Sequence, residues 1–254
     1  MFQLPVSGID FHLRTPAGQE DLLLLETQAA EAELAAMLLA RVAGREGGIE
    51  WTALPVADVE AALLMLRQIT AGDVLRADVR CTAAGCGARV DLSFRVSEYL
   101  AHSIPRMPDN VAAAEGEGWY ALRGTEVRFR IPTLADQIAI TGLPRAEAEL
   151  ARRTIRPADA AAANVRKAQQ AMDIIAPCLS QPLQGICVEC KQALSIHFDV
   201  YSFVLRELRR RAAQIYQDVH LIAQRYHWPE SRILAMPSIR RQQYAGMILE
   251  ERGA

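Results

Sequence analysis

The chain has 254 residues, of which 51% are hydrophobic and 23% charged, and its formal net charge is −2. This near-neutral balance argues against a protein whose whole surface is shaped for nucleic acid, although local basic patches remain compatible with it. No apolar run approaches the roughly 20 residues that span a bilayer, because the stretch Leu22–Leu25 stops at Glu26.

The first 72 positions predict a hairpin and two helices. Alternating apolar residues around a turn at Ser7-Gly8 predict the hairpin within 1–17. An alanine- and leucine-rich stretch predicts one helix over 19–43. A second helix is predicted to open within 54–58 and to run through about Ile69, because the stretch carries a periodic set of apolar residues and Gly72 ends it. That set is Val59, Leu63, Leu66 and Ile69.

A first cysteine pair follows, with four residues between Cys81 and Cys86. The second cysteine leads an alternating run that predicts a strand and then a helix start at Tyr99-Leu100. The run consists of Val90, Leu92, Phe94 and Val96.

The middle of the chain contains a predicted connection and three predicted helices. Proline and glycine among small and acidic residues between Ser103 and Gly118 indicate the connection. The helices are predicted at about 133–142, 144–153 and 157–175. Cys178, which follows Pro177, has no partner at ligand spacing, and we expect it to be a buried small hydrophobic residue.

A second cysteine pair, Cys187 and Cys190, leads the same pattern 104 positions later. An alternating run again predicts a strand, and Phe203-Val204 matches the helix start at Tyr99-Leu100. The run consists of Leu194, Ile196, Phe198 and Val200. An internal duplication explains the match.

A weaker match lies upstream of each cysteine pair. The segment from Phe11 to Pro16, with Glu20-Asp21 after it, resembles the segment from Val127 to Pro132, with Asp136 after it. The offset here is 116 positions. The sequence therefore predicts four parts: a first half at 1–107, a connection at 108–119, a second half at 120–210 and an extension at 211–254.

Two cysteine pairs, each followed by a strand, match the way in which two turns offer four thiolates to a tetrahedral zinc ion. Such a site would be structural, because four thiolates leave no position for water or substrate. Free thiols, or a descendant of such a site that has lost its metal, are the second interpretation. Disulfides are the third and the least favoured, because the N-terminus shows no export signal.

The C-terminal part predicts one long amphipathic helix and two further helices. Apolar residues recur at helical spacing from Val200 to about Arg225. Pro229 begins a short helix that runs through Leu234, and a last helix starts near Ser238. His220 and His227 are seven positions apart and could act as ligands or as acid/base groups. We favour a packed His220 at a buried helix edge and a capping His227.

This C-terminal part resembles a baseplate (hub assembly) protein family of T-even-like phages and phage-tail-derived contractile injection systems. The resemblance is carried by the second cysteine pair, by 218–223 and 226–230, by 233–236, and by Arg240-Arg241 with Tyr244. Two departures concern the metal site: the first pair has a four-residue spacer, and Lys191 stands where a glycine often follows the second pair, as Gly87 follows the first.

The resemblance implies a non-enzymatic baseplate protein or assembly chaperone that acts through contacts with other baseplate or hub proteins. It also implies action in the cytoplasm during assembly, with or without retention in the finished particle. No membrane partner is expected, and nucleic acid is not favoured. The residues suggested for partner binding are Trp228, Arg240, Arg241 and Tyr244.

The catalytic inventory agrees with a non-enzymatic role, because no phosphate-binding loop, no His-Glu-x-x-His and no serine elbow occurs in the sequence. The alternative is a zinc-ribbon protein that binds nucleic acid through an arginine-rich helix. Its candidate residues are Arg206, Arg209, Arg210, Arg211, Arg240 and Arg241.

The predicted fold class is therefore α+β and mostly helical. It has two duplicated strand-helix halves, a four-cysteine zinc-ribbon-like site that joins them, and a helical C-terminal extension.

Overall fold

The computed structural model describes residues 1–44, 48–116 and 118–253. The protein is α+β, with about 49% helix and 19% strand, as the sequence predicts. Of the parts predicted from the sequence, the first half contains positions 45–47, the connection contains position 117 and the extension contains position 254. These positions lie outside the described residues.

The N-terminal hairpin is confirmed. Its strands are β1 (Phe2–Gln3) and β2 (Asp10–Phe11), and they pair in antiparallel fashion. The turn between them includes Gly8 at a φ of 71°, a left-handed conformation that glycine adopts without steric cost.

Two helices, not one, follow the hairpin: α1 (Gly18–Glu26) and α2 (Glu31–Val42). The single helix predicted over 19–43 is therefore wrong. The chain is extended at Thr27 and again at Ala30, and no glycine or proline marks this break. Both helices pack against a later helix, α8 (Val200–Ala212). The break between them lets each helix bury its own apolar side chains there.

The third helix, α3 (Val56–Ala71), confirms the prediction and ends at Gly72 with a φ of 83°. A single turn of 3-10 helix at Trp51–Ala53 precedes it. The hairpin β3 (Val74–Arg80) and β4 (Arg89–Arg95) comes next, followed by α4 (Val96–His102). The first cysteine pair lies in the loop of this hairpin.

The middle of the chain forms a four-stranded antiparallel sheet in the order β5-β6-β7-β8. The strands are β5 (Val111–Ala113), β6 (Trp119–Leu122), β7 (Arg128–Arg130) and β8 (Ile155–Arg156). The three predicted helices are present as α5 (Leu134–Ile140), α6 (Ala146–Thr154) and α7 (Ala162–Ile175). Helix α7 packs on the sheet around the buried Phe129.

A second hairpin holds the second cysteine pair. Its strands are β9 (Gln181–Ile186) and β10 (Ala193–Phe198), and α8 (Val200–Ala212) follows directly. Both cysteine pairs thus sit in the loop of an antiparallel hairpin whose second strand leads into a helix.

The rest of the chain is helical: α9 (Ile215–Tyr226), α10 (Glu230–Leu234) and α11 (Ser238–Gly253). The long helix predicted from Val200 to Arg225 is wrong, because Ala213 and Gln214 separate α8 from α9. Helix α8 buries its apolar face in the largest core, whereas α9 packs with α10 and α11 in a cluster of their own.

The largest core draws residues from α1, α2, α3 and α8. It therefore combines elements of both predicted halves. The boundaries at 107, 119 and 210 stay a prediction.

Candidate metal centre

Four cysteines that are distant in sequence meet at the tips of the two hairpins. Cys81 and Cys86 come from the β3–β4 loop, and Cys187 and Cys190 from the β9–β10 loop. Their four Sγ atoms all lie within 4.8 Å of one another. The structure thus brings together all four residues that the sequence singles out.

Both loops have the same internal construction. The N–H of Cys81 donates to Ala88 O at 2.8 Å, and the N–H of Cys187 donates to Gln192 O at 2.9 Å. The residue after each second cysteine has a left-handed backbone, with a φ of 59° at Gly87 and 60° at Lys191. Lys191 therefore has the same backbone conformation as Gly87 in the first loop, so the lysine leaves the turn intact.

The distances within the cluster suit a metal and not a disulfide. Cys81 Sγ and Cys190 Sγ are 3.7 Å apart, and Cys86 Sγ and Cys187 Sγ are 3.9 Å apart. A disulfide would need about 2 Å. A tetrahedral ion with metal–sulfur bonds of about 2.3 Å places its sulfur ligands about 3.8 Å apart.

The thiols of the cluster differ in their pKa values. A backbone hydrogen bond from Cys190 and another from Glu189 lower the pKa of Cys187 to about 7. At Cys81 a backbone hydrogen bond from Ala83 acts in the same direction, but burial and the neighbouring thiols outweigh it and raise its pKa to about 12. A single thiolate, at Cys187, is thus favoured. Several thiolates so close together would repel one another unless a bound cation balanced their charge.

The cluster joins the two hairpins through a small apolar shell. Cys187 is 0% exposed and Cys81 is 5% exposed, and Leu194, Val90 and Ala88 pack around them. Cys86 and Cys190 are half-buried, and both border a surface depression. The donor set and its spacing fit a metal ion that ties the two hairpins together.

Cys178 takes no part in the cluster. It was expected to be buried, but it is exposed in the loop before β9, where its Sγ lies 3.1 Å from Ser180 O. Although the residue is exposed, its Sγ atom is partly desolvated and lies near the Glu60 carboxylate, and both effects raise its pKa to about 11, so the thiolate is scarce at neutral pH.

Of the C-terminal residues suggested for partner binding, three retain exposed surface and one is fully buried. Trp228 stacks on Tyr226 with ring centroids 5.1 Å apart, and it meets Tyr244 edge-on at 5.5 Å. Both side chains remain half-buried. Arg240 is exposed on α11.

Arg241 does not lie on the surface, so its suggested contact with a partner is corrected. Its side chain is 0% exposed, with Nη2 2.6 Å from Asp21 Oδ2 and Nε 3.1 Å from Asp218 Oδ2. Ser238 Oγ donates to the same oxygen of Asp21 at 2.7 Å. The residue therefore fastens α11 to α1 and α9.

Within the described residues, His220 and His227 form neither a metal site nor an acid/base pair. His220 is exposed, not packed at a buried helix edge as expected. His227 is the left-handed C-cap of α9, with a φ of 56°, as its predicted capping role requires.

Sequence reasoning missed two buried carboxylates of α3. Asp58 accepts hydrogen bonds from the N–H groups of Val6 and Ser7 at 2.7 and 2.9 Å. Glu60 accepts from the N–H of Leu179 at 2.9 Å and from Ser180 Oγ at 2.6 Å. Both carboxylates accept hydrogen bonds from loops that are distant in sequence, and no local sequence pattern predicts this role.

Comparisons of the chain with protein-family models, with curated proteins and with solved structures found no match. Among the described residues, no helix has the length and apolar character needed to cross a membrane.

Proposed function

We propose that the protein is a non-enzymatic baseplate protein or assembly chaperone of a contractile phage tail or injection system, and that a structural zinc ion holds it together. The zinc part of the proposal is supported by the four-cysteine cluster. The assembly part is supported by the resemblance of the C-terminal segment, from Cys187 to Tyr244.

The observation that carries the zinc proposal is the spacing of the sulfur atoms. The Sγ separations of 3.7 and 3.9 Å bracket the edge of a zinc–thiolate tetrahedron. Four thiolates also suit iron, so the identity of the metal is part of the test. A closed set of four protein ligands leaves no site for water, which supports a structural and not a catalytic role.

The position of the cluster supports a role in shaping the protein. The β3–β4 hairpin precedes the middle sheet in sequence and the β9–β10 hairpin follows it. Zinc at the tips would fix the two hairpins relative to each other, and through them α4 and α8. A rigid scaffold of this kind suits a protein whose work is to contact other proteins.

The alternative, a nucleic-acid-binding protein, has lost part of its support. Arg241 is buried, Arg209 hydrogen-bonds to Leu24 O at 3.1 Å, and Arg211 to Thr70 O at 3.2 Å. The basic stripe available to phosphates is therefore shorter than the sequence suggests.

Metal analysis of natively purified protein tests the zinc part. We expect about one zinc ion per chain, which Cys86→Ser and Cys190→Ser would lose and Cys178→Ser would keep. Iron in place of zinc would change the assignment of the metal, and the absence of any metal would overturn it.

Mass spectrometry of proteins that co-purify with a tagged copy, expressed with its native gene cluster, tests the assembly part. Sedimented finished particles are examined in parallel. Baseplate or hub proteins with the tag, and no chain in the particles, would identify a chaperone. The chain in both would identify a structural component. Nucleic acid without baseplate proteins would contradict the proposal.

A further inference from the structure

The β3–β4 hairpin is anchored at both ends, and its middle borders an open groove along α8. At one end Leu75 is buried and Phe94 packs against the largest core. At the other end Val90 packs against the cysteine cluster. Between these anchors, Ala77 and Leu92 face each other across the hairpin and stay half-buried. A groove of about 890 Å³ lies there between the hairpin and α8.

Helix α8 supplies the opposite wall of this groove. Phe203, Arg206 and Arg210 line it, and their spacing places them along one face of the helix. The guanidinium carbon of Arg206 lies 5.9 Å from the centre of the Phe203 ring. The groove therefore has an apolar floor with positive charge above it.

The positive charge in the groove is largely uncompensated. Within the described residues, Arg76, Arg206 and Arg210 form no ion pair and no hydrogen bond through their side chains. The lining also contains Asp78, which pairs with Arg89 at 3.0 Å, and Asp91, which has no such partner. Arg206 and Arg210 lie on the α8 wall of the groove. Arg76, Asp78 and Asp91 alternate along the strands with Ala77 and Leu92, so their side chains point to the other face of the hairpin.

We propose that this groove binds an acidic peptide segment of a partner protein. Carboxylates of the segment pair with Arg206 and Arg210, and an apolar side chain of the segment rests on Ala77 and Leu92. Guanidinium groups bind carboxylates through paired hydrogen bonds. This inference names the chemistry of the partner and rests on the proposed function for its biological setting.

A peptide fits the groove better than a nucleic acid does. Phe203 is only 8% exposed and is covered by Arg206, so it offers no face on which a base could stack. A peptide, unlike a phosphate backbone, can carry carboxylates opposite the arginines and uncharged side chains elsewhere.

Fluorescence anisotropy tests the groove directly. The probes are a panel of fluorescein-labelled peptides that combine Glu and Asp with Leu or Phe, and matched peptides with Gln and Asn. The protein is the full chain, purified with its bound metal. The variant is Arg206→Gln with Arg210→Gln, both on the exposed side of the helix. The control is Arg166→Gln, an exposed arginine of α7 without a partner in the described structure.

We expect acidic peptides to bind at least about tenfold more weakly to the double variant than to the wild type, since two charge-assisted contacts are lost. The control variant should bind as the wild type does, and the Gln and Asn peptides should not bind. Failure of every acidic peptide to bind at low salt, or equal binding to the double variant, would overturn the proposal. Tighter binding of a single-stranded oligonucleotide, lost in the same variant, would also overturn it.

The two proposals can fail separately. If the double variant still recovers baseplate proteins from the native gene cluster and no acidic peptide binds, the groove proposal fails and the assembly proposal stands. If acidic peptides bind as expected but no baseplate protein is recovered, the assembly proposal alone fails.

Discussion

Arg14 and Arg130, which are 116 positions apart, form the same ion pair with a carboxylate six residues later. Arg14 donates to both carboxylate oxygens of Glu20, at 2.8 and 2.9 Å. Arg130 donates to both oxygens of Asp136, at 2.5 and 2.9 Å. In each case the same carboxylate also caps the first turn of the helix that follows.

Each of these two motifs also docks on the start of another helix. The carbonyl of Pro16 accepts a hydrogen bond from the N–H of Ser238, at the start of α11. The carbonyl of Pro132 accepts one from the N–H of Val56, at the start of α3. A proline, Pro237 or Pro55, precedes the donor in both cases. This match strengthens the weaker part of the proposed duplication.

The Arg130 pair is expected to stabilise the second motif measurably. Arg130→Ala leaves Asp136, which is 4% exposed, without its ion pair, and we expect it to cost about 1–3 kcal/mol in urea denaturation. Arg128→Ala is the matched control, because Arg128 lies on the same strand with an exposed side chain. Equal stability of both variants would show that the pair contributes nothing.

The pH dependence of this contribution has a definite sign. Burial opposes the charge of Asp136, but hydrogen bonds from Arg130 and Thr133 outweigh it and hold the pKa of the carboxyl below its ordinary value. The stabilisation is therefore present above the unfolded pKa and is lost as the pH falls through the lower, folded pKa. In the Arg130→Ala variant, we expect NMR titration to show a higher pKa for Asp136.

Local signals in the sequence explain which elements could be predicted. Gly8, Gly72 and Pro229 mark a turn, a helix end and a helix start, and the structure agrees at all three. The breaks after Glu26 and Ala212 carry no such signal. The first break lets α1 and α2 each bury its own apolar side chains against α8, and the second separates α8, in the largest core, from α9, which packs with α10 and α11. Both breaks depend on the packed structure.

The same distinction applies to the sites. Cysteine spacing predicts which residues meet, because paired ligands on two turns are a local pattern. The burial of Arg241 depends on Asp21, which is 220 positions away, and the sequence alone suggests a surface arginine. Asp58 and Glu60 of α3 are missed for the same reason, since their partners lie in distant loops.

Removal of the metal is expected to destabilise more than the two loops. Because a metal ion in the cluster would fix the two hairpins relative to each other, Cys86→Ser or a strong chelator should lower the unfolding midpoint of the whole chain. Cys178→Ser should leave it unchanged, since that thiol lies outside the cluster. Thermal unfolding followed by circular dichroism measures the effect. An unchanged midpoint after complete zinc loss would show that the metal is dispensable for folding.

Arg241 is expected to be one of the most sensitive positions of the C-terminal helices. Arg241→Met removes the buried cation between Asp21 and Asp218 and leaves their charges uncompensated, so we expect a loss of about 3–5 kcal/mol. Arg240→Met, at the exposed neighbouring position, should change stability little. Hydrogen exchange should increase along α11 in the first variant alone.

A second substitution separates two causes of the stability loss at this site: uncompensated charge and lost packing. Burial raises the pKa of Asp218, although Arg241 opposes that effect. Adding Asp218→Asn to Arg241→Met removes one uncompensated carboxylate, so it should recover part of the lost stability. No recovery would attribute the loss to packing.

Glu60 should make the protein less stable as the pH rises. Burial of its carboxyl raises the pKa, although hydrogen bonds from Ser180 and Leu179 oppose this. The folded protein therefore holds the proton more tightly than the unfolded chain does. Above the unfolded pKa the free energy of unfolding decreases, and it continues to do so until the pH passes the folded pKa.

Glu60→Gln tests this sign, because the amide keeps an acceptor for the loop but cannot ionise. Urea denaturation at a series of pH values from about 4 upward should show that the free energy of unfolding of the variant increases, relative to that of the wild type, as the pH rises. The absolute slope of either protein also contains the contributions of other carboxyls, such as Asp58, whose pKa is raised, and Asp136, whose pKa is lowered. An identical slope in Glu60→Gln would mean that Glu60 ionises in the folded protein as easily as in the unfolded chain.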